Sequence, residues 1–245
     1  MPSVSVVIPS WNDAELLSDC LAALARQTRL ADEIVVVDNA STDATAEVAR
    51  RFGARVVQED VRGILRATAA GFDAAHGDIL ARLDADSIPA PDWLETVVAH
   101  LGSLPTPAAV AGPGEFRGAS AFVRWFGRRV YLGGYFRAMA FVLGQPPLFG
   151  SNMAMQRQAW EAVRPRLDVS ARAVHDDLYI SIRLPREVQV AYDAELRVSI
   201  SARPFASPTS IGKRMLWGCN TLLEGTVRGR LLQRRAARRR ARAKL

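Results

Sequence analysis

The alternation of short β-branched runs with helical patterns restricts what this chain can fold into more than any other feature. Residues 4 to 8 form a largely β-branched run closed by Pro9, as a strand buried on both faces requires. Asn12 is placed to cap the next helix, with Glu15 completing a capping box. Leu16, Leu17, Cys20, Leu21 and Leu24 recur at the spacing of that helix's inner face. A second apolar run, 34 to 37, ends at Asp38. A polar turn follows, and Val48, Ala49 and Phe52 give the next helix its inner face. Residues 55 to 57 read as a third strand, Gly63 opens a helix to about residue 75, and 79 to 83 is a fourth strand ending at Asp84. Pro91 stands at a first helical position ahead of Trp93, Leu94, Val97, Val98 and Leu101. Repeated β-α-β units predict an α/β fold with a mostly parallel sheet and helices on both faces.

The second half is less regular. Residues 108 to 111 read as a strand, 120 to 143 as helix with loops, and 176 to 184 as a helix stopped by Pro185. Short strands are expected at 188–192 and 196–200, and a helical pattern runs from 207 into an arginine-rich tail. The expected organisation is a body of residues 1–205, divided into halves 1–112 and 113–205, and a basic helical extension, 206–245.

Charge separates these parts. Between Arg228 and Lys244 there are nine basic residues and no acidic ones, so an overall net charge of +7 leaves the remainder at −2. The basic character belongs to the tail. Two distant cysteines, Cys20 and Cys219, suggest no disulfide framework, and Cys20 lies on a helix's inner face. No basic segment followed by an apolar one opens the chain, so no secretory signal is expected. The most apolar stretch, 138–156, is broken by Gly144, Pro146, Pro147, Gly150, Ser151 and Asn152, too soon for a membrane span of about 20 residues.

In an open parallel sheet, ligands bind beyond the carboxyl ends of the strands. Three polar groups fall there: Pro9-Ser10-Trp11-Asn12, Asp38-Asn39 and Asp84-Ala85-Asp86. In an extended turn, residues two apart point the same way, so Asp84 and Asp86 can meet one small hard cation. Magnesium or manganese takes oxygen ligands and shares them with phosphates, and as a Lewis acid it neutralises a departing diphosphate. The same aspartates also suit turn and helix-cap positions. Asp38 is placed to accept hydrogen bonds from a nucleobase or ribose.

Five stretches in order resemble glycosyltransferase family 2. They are 4–12 (VSVVIPSWN), 33–43 (EIVVVDNASTD), 74–86 (AAHGDILARLDAD), 148–155 (LFGSNMAM, with Ala159-Trp160), and His175-Asp176-Asp177 followed by Ile180, Ile182, Arg183 and Leu184. The resemblance implies the A-type glycosyltransferase fold, a nucleoside-diphosphate-sugar donor and inversion at the anomeric carbon. By position, Pro9, Trp11 and Asp38 line the nucleoside pocket, with Asn12 and Asn39 beside them. Asp86 holds the metal, and Asp84 holds the metal or ribose. Asp177, six residues before Arg183, aligns with the catalytic base, and Asp176 takes that role if the register is one residue off. Gly150, Ser151 and Asn152 match the acceptor-side segment. His175 is a candidate to hold the base or a phosphate, although a lone histidine beside two acids is more often a surface residue.

Departures from the family pattern carry information. Trp11 replaces the common Tyr, Asn39 replaces a frequent second Asp, and Asp176 stands where Glu is usual. Thr68-Ala69 occupies the place of a frequent Arg-Asn pair, leaving Arg62 or Arg66 as the diphosphate contact. Acceptor choice is assigned to residues 114–147. The expected partners are the donor, a glycan or lipid-linked acceptor, and an anionic membrane surface reached through the tail. Nucleic acid is not expected, and the expected location is cytoplasmic, peripheral at the inner membrane face. Two competing readings are a nucleotidyltransferase and a non-catalytic membrane- or nucleic-acid-binding protein acting through the tail. The first wants a Gly-rich basic loop after strand one, which Pro9-Ser10-Trp11-Asn12 does not supply.

Overall fold

The computed structural model describes residues 1–203 and 208–229. A seven-stranded sheet runs in the order β3-β2-β1-β4-β8-β6-β9. Its first four members are β1 (Val4–Ser10), β2 (Glu33–Asp38), β3 (Arg55–Gln58) and β4 (Ile79–Arg82), all parallel. Next come β8 (Met153–Gln156), antiparallel to both neighbours, then β6 (Ala108–Ala111) and β9 (Gln189–Tyr192), parallel to each other. A separate small sheet, β5-β10-β7, joins Ile88–Pro89, Val198–Ser201 and Gly114–Arg117. The strand at β7 and the two-residue β5 carry no apolar run and were not legible in the sequence.

Strand periodicity divides the core in two. Val4, Val6 and Ile8 face one layer, packed by α1 (Ala14–Leu24), α2 (Thr45–Arg51) and α4 (Trp93–Gly102). Val7 faces the other, packed by α3 (Ile64–Ala74), α7 (Arg157–Val163) and α8 (Asp176–Arg183). Each fully buried large aliphatic side chain contributes about 1.5–3 kcal/mol, so both faces bind their helices firmly. Gly71 lets α3 approach the sheet: a β-carbon there would stand 2.3 Å from Cγ1 of Val7.

Residues 120–143 fold as α5 (Ala121–Phe126), a π-helical turn (Gly127–Leu132) and α6 (Gly133–Leu143). The last helix, α9 (Pro208–Gly229), docks on the body beside α8, where Thr221 Oγ1 accepts from the His175 amide at 2.9 Å. Residues 230–245, which carry most of the basic tail, lie outside the described residues. Among the described residues no helix is long and apolar enough to cross a membrane.

Two local expectations are corrected. β4 stops at Arg82, and Leu83 and Asp84 already belong to the following loop. Asn12 is not the cap of α1. It sits at φ 50° and turns its Oδ1 to the Thr42 amide at 2.8 Å. The orphan amides at the start of α1 are met from another loop: Asp43 Oδ2 accepts from Ala14 at 3.1 Å, and Thr45 Oγ1 from Asp13 at 3.2 Å. A nonlocal cap replaces the local capping box and ties the β1 and β2 loops together.

Candidate active site at the carboxyl edge of the sheet

Ser10 pairs with Asp38, and Val7 with Arg82, so the segments after β1, β2 and β4 open on one rim. On the first side stand the residues expected to line a nucleoside. Pro9 is buried in β1, while Trp11 is 44% exposed with the Arg62 guanidinium 3.3 Å above its ring. That distance makes a cation–π pair at the lip of the cleft. Asp38 is buried, its Oδ1 accepting from the Ser41 amide at 3.0 Å and its Oδ2 from Gln58 Nε2 at 3.2 Å. Asn39 is a clamp. Its Nδ2 donates to the carbonyls of Glu59 and Val61, and its Oδ1 accepts from the Gly63 amide, fixing the loop that leads into α3. Arg66 is half-buried in the first turn of that helix.

The paired aspartates follow β4. Asp84 Oδ1 accepts from Arg82 Nη2 at 2.8 Å, and its Oδ2 accepts from Ser151 Oγ at 2.5 Å. Ala85 between them is buried, which turns both carboxylates away from the core. Asp86 Oδ2 accepts from Arg203 Nη2 at 2.9 Å, while Nη1 of the same guanidinium donates to Asp13 Oδ1 at 2.7 Å. Arg203 gets there because β10 runs antiparallel to β5, the strand that immediately follows Asp86. Sequence reasoning missed Arg203, since nothing local links it to the aspartates.

It also missed Arg82. This side chain is almost wholly buried and bridges two carboxylates, Asp84 and Asp176, the second at 3.2 Å. Burial alone would lower its pKa, but Asp176 and then Asp84 outweigh that and hold it charged. A signal was available: a lone arginine inside the apolar run 79–83 must find a partner once buried.

The acidic pair opens α8, where the helix dipole favours negative charge. Asp176 is spent on structure: besides Arg82, Thr68 Oγ1 donates to its Oδ2 at 2.6 Å. Asp177 Oδ2 accepts from the Gly150 amide at 2.8 Å, and its pKa is raised, first by burial and then by Asp176. Burial, followed by the carboxylates of Asp177 and Asp176, also pushes the Tyr135 hydroxyl on α6 well above its ordinary value. Gly150 and Ser151 therefore join the two acidic groups. Asn152 lies deeper. It is fully buried, accepts from Trp93 Nε1 at 2.8 Å, and donates to the carbonyls of Pro113 and Leu196, so its side chain holds the loop. His175 turns to α9, with Nε2 2.9 Å from the Arg214 carbonyl and its ring edge toward Trp217.

The donor set suits a hard divalent cation. Burial, then Asp84, raises the Asp86 pKa, so the two carboxylates crowd each other in a partly desolvated site. Added positive charge relieves that crowding, and Arg203 supplies one unit of it. Among the described residues no group of three or more His, Cys, Asp and Glu side chains converges to form a complete cage. Oxygen ligands shared with a phosphate and water would complete the shell.

A rim of carboxylates at the C-terminal edge of a mostly parallel sheet is the arrangement of A-type glycosyltransferases. The chain belongs to glycosyl transferase family 2, whose sequence profile matches residues 5–163. Relatives include glycosyltransferase AglE of Haloferax volcanii, 38% identical over 109 residues, 41% of this chain and 36% of that protein. Another is validoxylamine A glucosyltransferase of Streptomyces hygroscopicus, 40% identical over 119 residues, 45% of this chain and 28% of that protein. The chain thus spans about a third of the length of these curated relatives. In overall fold it is similar to the mannosyltransferase PcManGT of Pyrobaculum calidifontis, solved with GDP-Man and Mn2+. That match has a TM-score of 0.65 at 22% identity, over 99% of this chain and 75% of the other. It is likewise similar to glucosyl-3-phosphoglycerate synthase of Mycobacterium tuberculosis, solved with Mn2+, UDP and glucosyl-3-phosphoglycerate. There the TM-score is 0.63 at 23% identity, over 91% and 80% of the two chains.

Proposed function

We propose that this chain is a metal-dependent, inverting glycosyltransferase that moves a sugar from a nucleoside diphosphate to an acceptor hydroxyl. The observation that carries the reading is the buried guanidinium of Arg82, which ties the Asp84 side of the site to the Asp176-Asp177 pair. Donor binding and acceptor activation then share one rigid frame.

In this reading the nucleoside lies against Asp38 and the Trp11–Arg62 stack, with Pro9 beneath and Arg66 toward the diphosphate. Asp86 and Asp84 would hold Mg2+ or Mn2+, and the ion would supply Lewis-acid neutralisation of the leaving diphosphate. Asp177 takes the proton of the acceptor hydroxyl. The acceptor oxygen forms its bond to the anomeric carbon from the opposite face as the bond to the diphosphate oxygen breaks, and the diphosphate leaves with that electron pair. Asp177 is the better base of the pair, because Asp176 is already committed to Arg82 and Thr68. The raised pKa of Asp177 suits a base that must hold a proton through the transfer.

The acceptor in this reading is a glycan or a lipid-linked molecule, and the protein works at the cytoplasmic face of the membrane. A panel of nucleoside diphosphates, each added with and without manganese, tests the donor side by thermal shift. Stabilisation by one nucleotide, only with metal, is the expected result. A panel in which no nucleotide raises the melting temperature overturns the proposal.

A further inference from the structure

An exposed aromatic face stands on the helical segment between β7 and β8. α5 buries none of its residues. Phe122 is 69% exposed, Trp125 57%, Phe126 39% and Val130 47%. Their spacing of three and four residues puts them on one side of the helix. Phe122 stacks on Phe126 with ring centroids 6.3 Å apart and tilts against Trp125 at 6.2 Å, so the rings form one continuous patch. The inner side is fixed separately. Gly127 lies against Phe116, where a β-carbon would stand 2.4 Å from Cδ2, so the segment cannot simply roll its aromatics inward. Isolated exposed apolar residues are ordinary on a protein surface, but a contiguous aromatic cluster is not.

Charge identifies what this face meets. From Ser120 to Leu143 there are four arginines (Arg124, Arg128, Arg129 and Arg137), all exposed, and no acidic residue. A water-facing helix of a soluble domain commonly mixes both signs. Arg128 pairs with Glu115 of β7 at 3.4 Å, but the surplus of arginines around the aromatic side chains still matches an interface whose interior is apolar and whose surface is negative. Tryptophan and arginine suit that boundary, since each joins an apolar body to a polar end.

We propose that the face of α5 and the π-helical turn after it, through Phe122, Trp125, Phe126 and Val130 with the flanking arginines, is a membrane-contact surface for anionic phospholipid. The same helical segment continues into α6, where Phe136 packs on Phe149, the residue before Gly150. Contact here brings the acceptor side of the cleft to the headgroup layer. That consequence rests on the function proposed above; the membrane contact itself does not, and it is separate from any contribution of the C-terminal tail.

The test compares residues 1–245 with Phe122→Ser/Trp125→Ser/Phe126→Ser in the same chain, by flotation with vesicles of phosphatidylcholine alone or mixed with phosphatidylglycerol. The wild type is expected to float with the mixed vesicles, and the triple variant to partition about tenfold more weakly. Brominated acyl chains should quench part of the wild-type tryptophan emission, and Trp125→Phe should remove that part. The altered residues are exposed, so the variant should keep its melting temperature and any nucleotide-dependent thermal shift. A failed vesicle experiment is thereby distinguishable from a failed transferase reading. Equal flotation of wild type and triple variant overturns the proposal, because binding would then come from elsewhere in the chain. Absence of flotation overturns it too, as does a wild type that self-associates through this face instead of binding lipid.

Discussion

Gly150 lies directly over Arg82: a β-carbon on the glycine would stand 1.7 Å from Nη1 of the arginine. The loop before β8 is thus pressed onto the guanidinium that links Asp84 to Asp176, and the Gly150 amide in turn holds Asp177. Gly150→Ala must push one of these groups aside. Overpacking of this kind costs about 1–3 kcal/mol. A lower melting temperature is expected, with a fall in kcat greater than that in nucleotide affinity. Arg82→Met should be more severe. It leaves two carboxylates without their shared partner, and removing one side of a buried ion pair costs about 3–5 kcal/mol. Calorimetry on both variants checks the order.

The acidic pair makes a prediction about pH. Burial and then Asp176 raise the pKa of Asp177, and a base works only when deprotonated, so kcat/KM should rise with pH through a limb above the ordinary value of an aspartate. Asp176→Asn removes the neighbouring charge and should move that limb to lower pH. Asp177→Asn should lower kcat by about 100-fold or more above that limb, with the gap narrowing as pH falls and the wild-type base is protonated. A limb that stays put in Asp176→Asn would show that the titrating group lies elsewhere.

Asp86 should behave as a binding residue that the unliganded fold does not need. Its ionised form is disfavoured by burial and by Asp84, so Asp86→Asn should leave the metal-free melting temperature no lower than wild type. The loss of its bond to Arg203 should matter little, because that guanidinium is half exposed. Manganese-dependent stabilisation by a nucleotide should vanish in this variant, and a chelator should produce the same loss in the wild type.

Glu33 ties the far end of the sheet together, and its pKa has a consequence for acid stability. Burial pushes it up, but hydrogen bonds from Ser5 Oγ, the His76 amide and Arg55 prevail and hold it at about 2. Its folded pKa lies below the unfolded value, so its contribution is fully present above about 4.5 and is lost as pH falls toward 2. Melting temperatures of wild type and Glu33→Gln should differ at neutral pH and converge in strong acid. Parallel curves at all pH values would contradict this.

Much of the frame was legible without coordinates, because a strand's apolar run and a helix's three-and-four spacing are local. The first four strands, the inner face of α1 through Cys20, and the arrival of Asp38 and Asp84 at strand ends all follow from residues close together in the chain. Local cues misled at Asn12, whose capping box is absent because Asp43, from the next loop, reaches the helix first.

The order of residues alone determined an α/β sheet with polar groups after β1, β2 and β4, carboxylates among them at Asp38, Asp84 and Asp86, since covalent sequence fixes which groups must leave each strand end. Only the tertiary structure decided how those groups are paired. Arg82 meets Asp176 from 94 positions away, Arg203 meets Asp86 from 117, and Asn39 turns from the cleft to clamp the α3 loop. A charge taken out of water must find its partner in space, and sequence spacing does not encode that distance.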